Sequence, residues 1–220
     1  MPRSKVIQYF NDNAEKLSAQ YNSLDRAKVH ADLIDLLPPA KKLRMLDIGA
    51  GSGADAAFFA ALGHEVVAAE PAINLRDIAN KTFKNKRIEW NGDTLPGLKS
   101  TTASGKKFDV IYAIGTLQYL NKKDRTKALK KIAALLNDGG LLEIQYPTPP
   151  SREYQFPVGT GEIADFVKRF NASAQGGVQL EIVHQKNIKD FTGRKALDGS
   201  DLYFNTAILR RRKSPPQFHG

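Results

Sequence analysis

The 220-residue sequence contains no cysteine. Disulfide bonds, thiolate metal ligands and thiol nucleophiles are therefore excluded together. This absence fits a reducing compartment, so we expect a cytoplasmic protein. Long apolar runs are also missing and the mean hydropathy is -0.40, so no membrane span is expected. The first residues, MPRSKVIQYFNDNAEKL, are basic but lack an apolar core, so we predict no secretory signal.

Acidic residues are fewer than basic ones, 23 against 33, which gives a formal net charge of +10. Basic residues cluster in FKNKR (83–87), NKKDRTKALKK (121–131) and RRRK (210–213). Such a charge favours anionic partners, nucleic acid included. No stretch alternates aromatic and basic residues as a base-stacking strip would. We interpret the clusters as a solvated helix face and a basic tail, which leaves nucleic acid as a less favoured partner.

Apolar spacing predicts two N-terminal helices and then alternating strands and helices. The two helices span about 3–20 and 24–37 and end at Pro38-Pro39. The alternating part comprises strands at 43–48, 64–69, 87–91, 108–114 and 139–146, and helices at about 53–62, 72–81 and 122–137, the last closed by Gly139-Gly140. This alternation predicts parallel pairing through right-handed crossovers, and so an open doubly wound α/β sheet.

The pattern changes after the fifth strand. The segment YPTPPSREYQFPVGTGE is too rich in proline and glycine for regular structure, and a short helix is predicted at about 161–171. Two β-like runs follow, GVQLEIVHQK and DLYFNTAILRRR, and they predict an antiparallel pair at one sheet edge. Residues 213–220 are predicted to form a frayed tail.

Three alternating glycines, Gly49, Gly51 and Gly53, lie between the first strand and the next helix. Glycine allows a tight turn and lets a ligand approach the backbone closely. Free N–H groups at the start of the helix favour an anionic group there. Open α/β sheets also bind their ligands at the carboxyl ends of strands. A turn alone does not need three glycines, so the loop predicts a ligand site.

The glycine loop by itself fits more than one cofactor. Gly49, Gly51 and Ala54 satisfy the dinucleotide pattern G-x-G-x-x-G/A, so a nicotinamide or flavin cofactor has to be considered. An acidic residue at the end of the second strand would hold a ribose diol in either class of cofactor. Glu70 in HEVVAAEPA occupies that position.

Three further features weigh against a dinucleotide. Asp47 stands just before the loop, where dinucleotide folds usually keep an apolar residue. Asp93 follows the third strand in IEWNGDTLP, where its carboxylate could accept a hydrogen bond from an exocyclic adenine amine. The fourth strand, FDVIYAIGTLQYL, ends in a glycine and uncharged residues that could line a pocket. A chain of 220 residues also leaves little room for the substrate domain of a dehydrogenase.

The set LDIGAGSG, Glu70, NGD, FDVIYAIGTLQYL and LLNDGGLLEIQYP resembles the class I S-adenosylmethionine-dependent methyltransferases over about residues 43–146. The resemblance implies a Rossmann-like seven-stranded sheet, mostly parallel with an antiparallel edge pair. It implies S-adenosylmethionine as methyl donor and S-adenosylhomocysteine as product. It also implies a helical lid at 1–40, a methyltransferase domain at 41–212 and a substrate-loop insertion at about 147–176.

The resemblance further implies which residues contact the cofactor. The loop residues would pass under the methionine part, and Asp47 would order the loop or meet the amino group through water. The remaining contacts would come from Glu70 and Pro71 at the ribose, Asp93 and Thr94 at the adenine, and the backbone of Ala113–Gly115 near the sulfonium. Tyr9 or Tyr21 of the lid could close over the cofactor. The full loop set is Gly49, Ala50, Gly51 and Gly53.

Features that this family uses for particular acceptors are missing. Methylation at C5 of pyrimidines uses a cysteine, which the sequence lacks. The Asn/Asp-Pro-Pro-aromatic motif for exocyclic amines is replaced by AIGTLQ after the fourth strand. The acidic metal ligand of the magnesium-dependent branch is absent at the same place, so no metal is predicted. The resemblance therefore makes these three chemistries unfavoured.

Candidate acceptor residues come from the loops above the strand ends. They are Gln118, Tyr119, Tyr146, Arg152 and Tyr154. Arg152 could hold an acidic substrate, or it could be an exposed loop arginine. The four histidines, His30, His64, His184 and His219, lie away from the implied acceptor pocket. We therefore name no general base.

The leading hypothesis is methyl transfer to an O, N or S nucleophile of a small molecule, by a monomer or homodimer. An RNA or protein methyltransferase is the alternative that the basic surface motivates. A non-catalytic module that retains the cofactor fold is a third hypothesis, although Glu70 and Asp93 weigh against it. A nicotinamide oxidoreductase remains the fourth.

Overall fold

A computed structural model describes residues 3–173, 177–190 and 194–213. These residues contain a seven-stranded sheet with the order β3-β2-β1-β4-β5-β7-β6. The strands are β1 Arg44–Ile48, β2 Glu65–Ala69, β3 Ile88–Asn91, β4 Phe108–Ile114, β5 Leu136–Thr148, β6 Val178–Lys189 and β7 Tyr203–Lys213. The first five strands pair in parallel, whereas β7 runs antiparallel to both β5 and β6. The predicted Rossmann-like sheet with an antiparallel edge pair is confirmed.

Helices cover both faces of this sheet. They are α1 Arg3–Asp12, α2 Ala14–Asn22, α3 Arg26–Val29, α4 Ala31–Ile34, α5 Ala54–Ala61, α6 Ile73–Thr82, α7 Lys99–Ala103, α8 Lys122–Leu135 and α9 Glu162–Ser173, with a 3₁₀ helix at Leu117–Tyr119. Within the described residues, no helix is both long enough and apolar enough to cross a bilayer.

Strand alternation divides the core into two layers. On one face, Met45, Val66 and Tyr112 pack with α4 and α5. On the other, Leu46 and Ile144 pack with α8 and α9. Because successive side chains of a strand point to opposite faces, Asp47 lies on the α5 side of the sheet. The same rule puts Glu143 and Gln145 of β5 on the α5 side and Tyr146 on the other.

The N-terminal part differs from the prediction of two helices. The backbone leaves helical geometry at Asn13, with φ -111° and ψ 17°, and at His30, with φ -105° and ψ 15°. The amide of Asn13 donates to the carbonyl of Tyr9 at 2.8 Å, and the ring of His30 turns inward. The Asn13 side chain, which bonds locally, therefore divides the first predicted helix. The His30 side chain, which bonds to the core, divides the second.

The prediction was also wrong around residue 137. Helix α8 ends at Leu135 rather than at about residue 137, and β5 begins at Leu136 rather than at Gly139. A Cβ on Gly140 would lie 2.8 Å from the carbonyl oxygen of Asn137 in the same strand and 3.1 Å from that of Asp109 on β4, so the glycine permits a close approach of backbone to backbone. The register of β5 against β4 shifts at this point. The pair Gly139-Gly140 thus belongs to the irregular start of the strand.

Two short elements were missed, namely α7 and the 3₁₀ helix. Of the predicted tail, Lys213 is the last residue of β7, and residues 214–220, with His219, lie outside the described residues.

Candidate functional site

A cavity of about 850 Å³ opens at the carboxyl ends of β1, β2 and β4 and is covered by α1, α2 and α3. Ligand pockets commonly measure about 300–1,000 Å³, so this volume is at the upper end. Its walls include the glycine loop, the 3₁₀ helix, the loop after β5 and the facing residues of β6 and β7. The crevice lies where open α/β sheets bind their ligands.

The three loop glycines differ in which atoms a side chain would contact. All adopt positive φ: +73° at Gly49, +54° at Gly51 and +77° at Gly53. A Cβ on Gly49 would lie 2.5 Å from Oγ1 of Thr116, and one on Gly53 would lie 2.6 Å from Cη2 of Trp90. At Gly51 the nearest atom is 3.5 Å away, in the ring of Tyr21.

This geometry corrects the implied role of Gly53. Gly49, Ala50 and Gly51 line the cavity, whereas Gly53 is buried against Trp90 and Ala79. Its missing side chain makes room for protein packing. At Gly51 a side chain would instead occupy the space between the loop and Tyr21.

Glu70 lies at the end of β2 and lines the cavity with Pro71. Its Oε2 accepts from the backbone N–H of Gly51 at 2.8 Å, and its Oε1 accepts from that of Ala72 at 2.7 Å. Burial raises the pKa of this carboxyl, and the two N–H groups oppose the rise. Because a carboxylate offers about four acceptor positions, two remain for a ligand diol.

Asp93 and Thr94 also line the cavity. The Asp93 carboxylate accepts from the backbone N–H of Ser100 at 3.0 Å and from that of Thr101 at 2.6 Å. Burial alone would raise its pKa, but these hydrogen bonds outweigh burial and lower it. Asp93 therefore anchors the start of α7, a contact that the sequence analysis did not anticipate.

Asp47 and Ala113 do not line the cavity. Ala113 is buried in the core, and the adjoining Ile114 and Gly115 line the cavity instead. Asp47 is 2% exposed, and burial raises its pKa well above the usual value. Within the described residues, neither its Oδ2 nor the hydroxyl of Tyr112, its register partner on β4, has a hydrogen-bond partner.

Among the acceptor candidates, Gln118, Tyr119 and Arg152 line the cavity. Tyr146 does not, because strand alternation turns it to the α8 side, where it is 1% exposed; Gln145 lines the cavity instead. Tyr154 does not line it either, since its ring packs against Tyr9 with centroids 6.0 Å apart.

Helices α1 and α2 meet the 3₁₀ helix and the loop after β5 above the glycine loop. Arg152 donates from Nη1 to the Tyr21 hydroxyl at 3.0 Å and from Nη2 to Oε1 of Gln20 at 3.2 Å. The rings of Phe10 and Tyr119 also touch, with centroids 5.3 Å apart. Arg152 is thus half-buried rather than an exposed loop arginine. Burial raises the pKa of Tyr21, so its hydroxyl stays neutral.

A buried charge cluster around His30, between α3 and α4, was not predicted. His30 is fully buried, with Nδ1 2.6 Å from Oε2 of Glu143 and Nε2 3.0 Å from Oδ1 of Asp55. Arg26 donates to the same Asp55 oxygen at 2.8 Å. Asp55 and Arg26 both line the cavity. Within the same described ranges, no group of three or more potential ligand side chains is arranged to hold a metal ion.

The model of a family described as a methyltransferase domain matches residues 21–180 of the chain. An uncharacterised protein of Rickettsia prowazekii (strain Madrid E) is 30% identical over 125 residues, which are 54% of this chain and 48% of that protein. The chain therefore spans about half the length of this curated relative.

Two solved structures illustrate the similarity in fold. One is the 1,6-didemethyltoxoflavin-N1-methyltransferase of Burkholderia thailandensis, with a TM-score of 0.64, 18% identity, and coverage of 95% of this chain and 88% of that one. The other is the magnesium protoporphyrin IX methyltransferase of Synechocystis, with a TM-score of 0.71, 12% identity, and coverage of 95% and 99%. Both were crystallised with S-adenosylhomocysteine. At these identities the likeness establishes the fold.

Proposed function

Because the chain belongs to the methyltransferase domain family, we propose that it transfers a methyl group from S-adenosylmethionine to an O, N or S nucleophile of a small-molecule acceptor. The observation that carries this proposal is the cavity in which the glycine loop, Glu70 and Asp93 meet. Gly51 leaves room for the methionine part, Glu70 retains acceptor positions for the ribose hydroxyls, and Asp93 and Thr94 stand at the adenine end.

The cofactor would supply an electrophilic methyl group on a sulfonium. An acceptor lone pair would take up that methyl group, and the electron pair of the broken carbon–sulfur bond would stay on sulfur. The residues of this chain would act by alignment and by exclusion of water. Tyr21 would cover the methionine part from above, and the backbone at Ile114 and Gly115 would border the reacting atoms.

The acceptor would enter between the 3₁₀ helix and the loop after β5. The Gln118 amide stands there, with Nε2 3.6 Å from the position of a Cβ on Gly115. Within the described residues its Oε1 is buried without a hydrogen-bond partner. A buried amide oxygen without a partner is costly, so an acceptor N–H or O–H would satisfy it.

The surroundings of Arg152 support the proposal that the acceptor carries an acidic group. Its guanidinium bonds to the neutral side chains of Tyr21 and Gln20, and no carboxylate pairs with it among the described residues. The other cations that line the cavity each pair with a carboxylate, namely Arg26 with Asp55, Lys28 with Asp25, Lys186 with Asp32, Lys189 with Asp201 and Arg194 with Asp190. A half-buried charge with neutral partners retains much of its attraction for an anion.

The test combines cofactor carrying a labelled methyl group with a panel of small aromatic acids and their matched amides. We expect labelled product from acids, and loss of that product in Arg152→Gln protein. Arg169→Gln is the matched control, because Arg169 is exposed on α9 outside the cavity. Equal methylation of acids and amides would contradict the acidic acceptor. No transfer to either, with cofactor bound, would contradict small-molecule methylation of this class.

An RNA acceptor is less well supported. The basic segment 210–213 lies in β7, where Arg212 pairs with Glu181 and Lys213 with Asp138. These carboxylates reduce the field that phosphate groups would meet. A tight RNA complex whose affinity falls steeply with salt would favour the RNA alternative.

A further inference from the structure

We propose that His30 is a positioning residue that fixes the rear half of the lid to the sheet, so that the cofactor enters past the front half alone. The rear lid is residues 26–34, which comprise α3 and α4. The front lid is residues 3–22, which comprise α1 and α2. The proposal rests on the proposed function, because two of its tests measure the binding of S-adenosylhomocysteine.

The contacts of His30 join three separate parts of the molecule. The residue lies between α3 and α4, and its ring contacts Glu143 of β5 and Asp55 of α5. The rings of Phe59 and Tyr112 enclose it at centroid distances of 4.9 and 5.4 Å. The side chain is fully buried, so water does not weaken these contacts.

Neighbouring groups reinforce the same attachment. Arg26 of the rear lid donates to Asp55 at 2.8 Å. Gln145 of β5 donates to the carbonyl of Val29 at 2.7 Å and to Oε1 of Glu143 at 2.8 Å. Both carboxylates that face His30 are thus held by further donors. The network fixes Asp55, which lines the cavity, and it fixes the rear lid, which follows Tyr21 in the chain.

The ring is charged under ordinary conditions. Both ring nitrogens face carboxylate oxygens, and both must carry a proton to donate. Burial alone would lower the pKa of His30, but the hydrogen bonds that its ring donates to Asp55 and Glu143 outweigh burial and raise the pKa to about 10. The titratable or charged groups around it are Asp55, Glu143, Arg26, Asp47 and Tyr112. His30 therefore serves as a fixed cation and not as a general base.

The front lid is held mainly by uncharged contacts. Its Ala14 and Leu17 pack on Leu75 of α6, and it also meets the rest of the chain through the Arg152–Tyr21 hydrogen bond, the Phe10–Tyr119 ring contact and the exposed pair formed by Asn11 and Asn74. In the described ranges, opening the front lid therefore separates no buried ion pair, whereas opening the rear lid would separate those of His30. The two halves meet at residues 23–25, where Arg26 donates to the carbonyls of Tyr21 and Leu24.

Hydrogen exchange on the full chain tests the division directly and needs no variant. Without ligand, we expect the backbone amides of the rear lid to exchange more slowly than those of the front lid. S-adenosylhomocysteine should then slow exchange mainly in the front lid. Equal exchange in both halves, or ligand-induced protection confined to the rear lid, would overturn the proposal.

A His30→Gln protein tests the role of the cation, with His64→Gln as the control because His64 lies outside the cavity. We expect faster exchange in the rear lid and about tenfold weaker binding of S-adenosylhomocysteine, as when the competent population falls to a tenth. Glu143→Gln added to His30→Gln should restore part of that affinity, because it removes a buried carboxylate left without its cation. Unchanged affinity and exchange in the single variant would overturn the proposal.

The pH dependence separates this role from simple packing. A folded pKa raised above the usual value means that the stability from His30 is full below about 6.5 and is lost as the pH rises through about 10. Binding by the wild-type and His64→Gln proteins should weaken across the upper part of that range. His30→Gln should lack this component, and an identical profile would contradict the proposal. Failure of the wild-type protein to bind the ligand would instead count against the proposed function.

Discussion

Replacement of Gly53 or Gly51 by alanine compares two glycines that share a backbone strain but differ in surroundings. Both have positive φ, +77° and +54°, where a side chain costs about 1–2 kcal/mol. At Gly53 the new Cβ would also lie 2.6 Å from Trp90 and 3.0 Å from Cβ of Ala79. Overpacking of a close-packed site costs about 1–3 kcal/mol. We therefore expect Gly53→Ala to lower the free energy of unfolding by about 2–5 kcal/mol.

Gly51→Ala should cost only the backbone term, about 1–2 kcal/mol, because its Cβ meets the Tyr21 ring at an ordinary 3.5 Å. Its larger effect should be on cofactor binding, since the methyl group would project into the cavity. Urea denaturation without ligand, followed by circular dichroism, measures the difference in stability between the two variants.

The fluorescence of Trp90, the sole tryptophan, should also change in Gly53→Ala and not in Gly51→Ala. In a Trp90→Leu background the difference in stability should shrink, because the atoms that crowd the new Cβ are removed. Equal destabilisation by the two alanines in the wild-type background would show that the contacts of Gly53 with Trp90 and Ala79 add no cost.

Two further predictions concern buried polar contacts outside the glycine loop. Arg125→Met should lower the free energy of unfolding by about 3–5 kcal/mol in urea titrations, because the Arg125 side chain is only 3% exposed and its loss leaves the Glu162 carboxylate without its partner. Adding Glu162→Leu should recover part of that loss, and no recovery would contradict this explanation. Asp93→Ala should cost about 1–2 kcal/mol even without ligand, because the N–H groups of Ser100 and Thr101 lose their acceptor. Unchanged unfolding of the Asp93→Ala protein would show that this anchor contributes nothing.

The sequence carried enough information for the fold because its strands follow local patterns. The short apolar runs of β1, β2 and β4 placed each strand within one residue of its observed bounds. Tyr146 was misplaced because only the register decides which of two neighbouring residues, Gln145 or Tyr146, faces the cavity. Helix α7, with the sequence KSTTA, was missed because it has little apolar periodicity and its start depends on Asp93.

The buried cluster at His30 could not be predicted from one sequence. Its partners Asp55 and Glu143 stand 25 and 113 residues away along the chain, and no local spacing relates them. For the glycine loop, by contrast, the local sequence was informative but incomplete. Its pattern identified the site, yet it could not separate Gly51, which borders the cavity, from Gly53, which makes room for Trp90.

The most direct test is calorimetric titration of S-adenosylhomocysteine into the wild-type, Glu70→Gln and Glu65→Gln proteins. Glu65 makes the matched control, because it lies at the opposite end of β2 with an exposed side chain. We expect binding by the wild-type and Glu65→Gln proteins, and about 10–100-fold weaker binding by Glu70→Gln, the loss expected for hydrogen bonds to a charged group. No binding of S-adenosylhomocysteine, together with binding of a reduced nicotinamide dinucleotide, would contradict this expectation.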